Sequence, residues 1–107
     1  MNTVILTGNL GGDPEVNFSD GGMMIASFSI AFKSTKDKTG WVKVTCFNKT
    51  AELADKYLHK GARIGVTGLL DHDQWETDSR EKRSIHKIIA NSIEFIKTDR
   101  KDEDDDH

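Results

Sequence analysis

The sequence predicts an all-β fold, a five-stranded Greek-key barrel with one short α-helix between strands three and four. Three observations predict it. Apolar residues alternate at period two in several stretches, and turn-forming Gly, Asp and Ser clusters separate them. One stretch, Asn48 to Leu58, changes to a helical period in the middle of these strands. The 107-residue chain can bury one core but not two, and nine glycines against one proline suit tight turns between short strands.

The first predicted strand runs from Asn2 to Leu10, with Val4, Leu6, Gly8 and Leu10 on one face and Thr3, Ile5, Thr7 and Asn9 on the other. Gly8 marks a bend, as a small barrel needs where one strand serves two parts of the sheet. Gly11-Gly12-Asp13-Pro14 is a turn; it lacks the Lys-Ser/Thr ending and the following helix of a phosphate loop. Ser19-Asp20-Gly21-Gly22 is a second turn. It joins a short extended piece, Glu15 to Phe18, to strand two, Met24 to Lys33, whose core face is Ala26, Phe28, Ile30 and Phe32. A polar connection with Lys33, Lys36 and Lys38 follows, up to Gly40.

Strand three, Gly40 to Phe47, sends Val42, Val44 and Cys46 to one face and Trp41, Lys43, Thr45 and Phe47 to the other. The first set is a core face. The second carries two large aromatics and a cation on a surface that folding alone would make polar. Unpaired bases offer flat π-faces to rings and phosphates to cations, so this face suits single-stranded nucleic acid. The lysines of the preceding connection lie beside it.

In the helix, Ala51, Ala54 and Leu58 form an apolar stripe widened by Leu53 and Tyr57, with Asn48 as N-cap and Gly61 beyond the end; it should plug the barrel. Strand four, Arg63 to Leu69, turns Ile64, Val66 and Gly68 to one side. Leu70 to Arg83 reads as a polar loop holding Trp75, which either folds back on the body or is held out for a partner. Arg80, Lys82 and Arg83 close that loop. Strand five, Ile85 to Phe95, puts Ile85, Lys87, Ile89, Asn91, Ile93 and Phe95 on one face. The order matches the OB-fold barrel, in which ligands commonly lie on strands two and three and in the loops after strands one and four. Trp41, Phe47 and Trp75 fall in those places.

Formal net charge is -3, which alone argues against a nucleic-acid binder. The distribution matters more. Removing the six acids and two bases of residues 98–107 leaves twelve acids and thirteen bases in residues 1–97. The reading is therefore a near-neutral domain over 1–97 and a disordered acidic tail over 98–107.

Cys46 is the single cysteine, so no disulfide forms within the chain, and its place on the apolar face reads as a core thiol in a reducing compartment. No signal peptide and no apolar run near the roughly 20 residues of a membrane span is present, so a soluble, intracellular protein is expected. No catalytic constellation assembles. His59, His72, His86 and His107 are scattered and show no metal-ligand spacing with Cys46, and no cofactor is implied.

The chain resembles the bacterial single-stranded DNA-binding protein family. The resemblance rests on Asn2-Thr3-Val4-Ile5-Leu6-Thr7-Gly8-Asn9-Leu10-Gly11-Gly12-Asp13-Pro14-Glu15-Val16, on Trp41 followed by Phe47, on Tyr57-Leu58-His59-Lys60-Gly61, on Gly68 and on Trp75. It implies an OB-fold that assembles as a homotetramer, with a dimer as the alternative, and wraps single-stranded DNA in replication, recombination and repair. It further implies a cytoplasmic, nucleoid-associated protein. Carried over by position, Trp41, Phe47 and Trp75 match base-stacking aromatics, and Lys43, Lys49 and Lys60 match basic positions along the DNA path. Lys33, Arg80, Lys82 and Lys87 complete the expected basic set, and Asn2 and Val4 would lie at a subunit interface. Partner replication or repair proteins would meet the acidic tail. The chain departs from the family in lacking an aromatic in Lys33-Ser34-Thr35-Lys36, in carrying Asp71-His72-Asp73 where many members are basic, and in ending Asp102-Glu103-Asp104-Asp105-Asp106-His107 without an apolar tip. The alternatives are a primosome-type or RNA-binding relative and an OB-fold that mainly binds protein.

Overall fold

Period-two apolar stretches become strands because alternate side chains can then enter a common interior. The computed structural model describes residues 1–97, with only the backbone described at Lys97; the expected tail lies outside the described residues. In order, the elements are β1 (Val4–Leu10), β2 (Glu15–Phe18), β3 (Met24–Thr35), β4 (Lys38–Phe47), α1 (Asn48–Tyr57), β5 (Arg63–Glu76) and β6 (Lys82–Lys97). The sheet order is β1-β5-β6-β4-β3-β2, and pairing of β1 with β3 closes the barrel. At its C-terminal end β1 passes from β5 to β3, with Asn9 paired to both Arg63 and Ala31. β4 and β6 run parallel, and every other pairing is antiparallel.

This is the OB-fold barrel, with one strand more than expected: Glu15–Phe18 pairs with β3 as a short edge strand. The interior holds Phe28, Ile30, Val44, Cys46, Ile64, Val66 and Ile88, among others. Burying each large aliphatic side chain contributes about 1.5–3 kcal/mol. The helix adds Ala51 and Ala54, with Leu58 just beyond it, to the same core, and Tyr57 meets Phe95 with ring centroids 5.7 Å apart. It thus closes one end of the barrel, as Ala51, Ala54 and Leu58 predict, while Leu53, expected to widen the stripe, is exposed.

Four local expectations change. Asn48 does not cap α1: Phe47 is the N-cap, without a side-chain hydrogen bond, and Asn48 takes a left-handed backbone with φ 54°. Nor does Gly61 cap the other end, where Leu58 N–H donates to the Ala54 carbonyl; Gly61 instead turns the chain toward β5. The segment expected as a loop between Leu70 and Arg83 is a long hairpin in which β5 and β6 stay paired out to Glu76 and Lys82. Finally, β6 faces the core through Ile88 and Ala90 rather than Ile85, Lys87, Ile89 and Asn91. The phase shifts at a bulge: Thr67 pairs with Ser92 but Gly68 with Ala90, so Asn91 is the extra residue and Ile93 returns to the core side. Gly68 sits where the β6 backbone comes closest, and a Cβ there would collide with the Ile89 carbonyl oxygen.

Candidate nucleic-acid interface

On β4 the alternation holds at the residues that matter most. Val44 and Cys46 are buried, while Trp41 is 62% exposed and Lys43 is exposed beside it. Thr45 departs from the expectation. It is only 7% exposed, flanked in register by Ser27 on β3 and Ile89 on β6. Phe47, next to Ile25, is half-buried, so it offers less free ring surface than either tryptophan.

Trp41 pairs with Ala31, whose small side chain leaves the indole uncovered on that side. Its other support is backbone. A Cβ built on Gly11 would lie 2.5 Å from Trp41 Cζ3, so the indole edge rests on the glycine of the turn after β1. That turn is itself tied down: the Lys60 amide donates to Asp13 Oδ1 at 2.8 Å, and the Gly61 amide to the Leu10 carbonyl at 2.9 Å. An open groove runs here between Gly11, Asp13, Ser27, Ser29, Trp41 and Lys43. The exposed Lys60 is thereby placed beside it, and Lys49 is exposed in the first turn of α1, directly after Phe47.

Strand register carries the same face onto the hairpin. Lys43 is level with Lys87 on β6; Lys87 with Asp71 on β5; Ile85 with Asp73; and Arg83 with Trp75. Directly paired residues share a sheet face. Trp41, Lys43, Lys87 and Trp75 therefore occupy one face, with Trp75 four residues, about 13 Å, beyond Asp71. Trp75 is 50% exposed and pairs with Arg83; the shallow groove around it is also lined by Gln74, Glu76, Lys82 and Ser84, with Lys82 level with Glu76 on the hairpin's other face. The structure thus holds this ring out rather than folding it back.

The charges along this face are mixed. Lys87 Nζ lies 2.9 Å from Asp73 Oδ2 and 3.9 Å from Asp71 Oδ2, so this expected phosphate contact is already matched by two carboxylates. Arg83 donates to Glu81 Oε1 at 2.7 Å. Arg80 is at the hairpin tip, with φ 67°, away from the β4 platform. Lys33 extends the Trp41 side of β3 but lines a neighbouring groove with Ile5, Thr7, Thr39 and Arg63. Of the residues expected at a subunit interface, Asn2 is engaged within the chain: its Nδ2 donates to the Leu70 carbonyl and its Oδ1 accepts from the Leu70 amide, both at 2.9 Å. Val4 packs partly buried against the core.

Two basic residues stand outside the expected binding set. Arg83, read from the sequence only as closing the loop, pairs directly with Trp75 across the hairpin, and Arg63 donates to Asn9 Oδ1 at 3.2 Å in the neighbouring groove. Cys46 is remote from all of this, and burial pushes its thiol up to about 11.

Three comparisons bear on this surface. The profile of the single-strand binding protein family matches residues 1–96. A single-stranded DNA-binding protein of Xylella fastidiosa is 33% identical over 104 residues, covering 90% of this chain and 63% of that protein. One of Xanthomonas campestris pv. campestris is also 33% identical over 104 residues, covering 90% and 60%. The chain therefore spans about three-fifths of the length of these curated relatives. Among solved structures, a Plasmodium falciparum SSB in complex with ssDNA is similar with a TM-score of 0.80 and 30% identity, covering 90% of this chain and 95% of that one.

Proposed function

This chain belongs to the single-strand binding protein family, and from that premise we propose that it binds single-stranded DNA without sequence preference, in replication, recombination and repair. The observation that carries the reading is the pair of exposed indoles, Trp41 and Trp75, on one sheet face with Lys43 between them. Bases stack on the two rings, and Phe47 supplies a smaller contact at the helix end of β4. Phosphates meet Lys43, Lys49 and Lys60 around the barrel and Arg83 on the hairpin, while Lys82, level with Glu76 on the hairpin's other face, plays a lesser part. Stacking is indifferent to base identity because every base has a π-face. Lys33, Arg80 and Lys87 play lesser parts, the last because acids already match its charge.

One OB-fold contacts only about 4–16 nucleotides, so tight wrapping needs several protomers, and the assembly is a homotetramer that acts in the nucleoid-associated cytoplasm. Among the described residues no helix is long and apolar enough to cross a membrane. The six acids of residues 98–107 compete with DNA for the basic surface and offer a site to replication or repair proteins.

Intrinsic fluorescence tests the reading. Oligo(dT) and a mixed-sequence oligonucleotide should quench the two tryptophans to a similar extent at low salt, and rising salt should weaken the effect. Removing residues 98–107 should tighten binding most at low salt. No quenching at micromolar concentrations would sink the proposal and favour use of the aromatic face to bind protein.

A further inference from the structure

We propose that His72 and His86 form a two-imidazole site for a divalent first-row transition-metal ion. The two residues are 14 positions apart in sequence, yet the hairpin sets them directly opposite one another on β5 and β6. Their rings are stacked, with centroids 4.2 Å apart and planes within 3° of parallel. Both side chains are exposed.

A neutral imidazole keeps one unshared nitrogen lone pair, and the metals that favour it include zinc, nickel and copper. Two nitrogens bound in cis positions at 2.0–2.1 Å from one ion come to about 3 Å of each other. In the stack the lone pairs lie in separate parallel planes, so metal binding must break it. Both exposed rings turn about χ1 and χ2 until their planes meet at the ion, and opposed strand residues, with Cβ atoms about 4.5–5.5 Å apart, allow this without moving the backbone. Gln74 adds an outer contact: its Nε2 lies 3.5 Å from His72 Nδ1. With its amide turned round, Oε1 accepts from Nδ1–H and leaves His72 Nε2 for the metal.

The nearby carboxylates do not enter this site. Asp71 and Asp73 are on the other face of the hairpin with Lys87, and the pair of imidazoles shares its own face with Leu70 and Gln74. Among the described residues no group of three or more His, Cys, Asp or Glu side chains is placed to hold a metal. Water therefore completes the coordination shell, and affinity falls below that of a four-ligand structural zinc site. Copper binds tightest, following the general order of divalent-ion affinity. The site uses the opposite face of the hairpin from Trp75 and Arg83; Lys82 and Glu76 lie on the imidazole face, but four residues along their strands from His86 and His72.

The test uses the full chain with Cu²⁺ and Zn²⁺ as probes. Wild-type protein should bind one ion per chain in calorimetry, with nitrogen hyperfine structure from two imidazoles in the Cu²⁺ spectrum, and Zn²⁺ should raise the melting temperature. His72→Ala and His86→Ala should each lower affinity by about tenfold or more, since loss of an outer contact alone costs that much. His107→Ala should bind like wild type, which separates the hairpin from the acidic tail. Both substitutions are at exposed positions, and circular dichroism checks that the barrel is kept. Unchanged binding in His72→Ala and His86→Ala, or no binding by wild-type protein, would overturn the proposal.

Discussion

Lys87 and Asp73 form an ion pair at 2.9 Å in the middle of the face that joins the two tryptophans, with Asp71 3.9 Å away on the same ammonium. The ammonium expected to meet a phosphate is thus already met by an acid. Asp73→Asn leaves Lys87 and its neighbour Lys43 less compensated. Single-strand affinity should rise a few-fold, and the logarithmic salt slope should steepen by up to about 0.7, the value of one further phosphate. The pair is half exposed, and two ammoniums become level with each other across β4 and β6, so a stability loss below about 1 kcal/mol should accompany the gain. Affinity measured over a salt series checks both directions; an unchanged slope would show that Lys87 is not on the path.

Gly11→Ala should disarm Trp41 without touching it. The added methyl would lie 2.5 Å from Cζ3 and 2.9 Å from Cη2, so the ring must rotate off its seat. Binding should weaken by on the order of 1–3 kcal/mol, close to the effect of Trp41→Ala, while the thermal midpoint barely moves. A Gly11→Ala protein with wild-type affinity and emission spectrum would contradict this.

The three aromatics should not behave alike. Trp41→Ala and Trp75→Ala remove rings that are 62% and 50% exposed, and each should reduce affinity by about 1–3 kcal/mol with the fold intact. Their separation makes the two effects additive in the double variant. Phe47→Ala removes a half-buried ring at the start of α1, so it should cost about 1–2 kcal/mol of stability as well, below the cost of a fully buried phenyl. Urea melts beside binding curves separate the two kinds of loss.

Burial raises the Cys46 thiol from 9.0 to about 11, which makes a pH prediction. Between those values the unfolded chain has lost the proton and the folded chain keeps it. Stability that is fully present below pH 9 is therefore lost as pH rises toward about 11. Cys46→Val should show a shallower decline in urea melts between pH 8 and 10.5. The folded wild-type thiol should also resist alkylation at pH 8 and react once the chain is denatured.

The barrel is legible because its strands have one wet and one dry face. Ala26, Phe28 and Ile30 on β3, and Val44 and Cys46 on β4, are buried where alternation puts them, and Trp41 is exposed for the same reason. The hairpin arm has no dry face. From Asp71 to Glu76 most residues are exposed on both sides, so nothing in their polarity distinguishes strand from loop. Its turn is equally hidden: Thr77 to Glu81 contains neither Gly nor Pro, and Arg80 takes the left-handed conformation with φ 67°. Cross-strand partners such as Lys87 with Asp73 and His72 with His86 are recognisable only after the pairing is known. The bulge at Asn91 escaped for another reason, since a single inserted residue inverts the phase of everything beyond it.

The two indoles differ in what anchors them. Trp41 lies against main chain that is bolted to the barrel, whereas Trp75 rides on a two-stranded lever with no hydrophobic filling beneath it. If both rings take bases as proposed, a substitution in the turn after β1 should disturb only the seat of Trp41, whereas one that loosens the β5–β6 pairing should reach only Trp75.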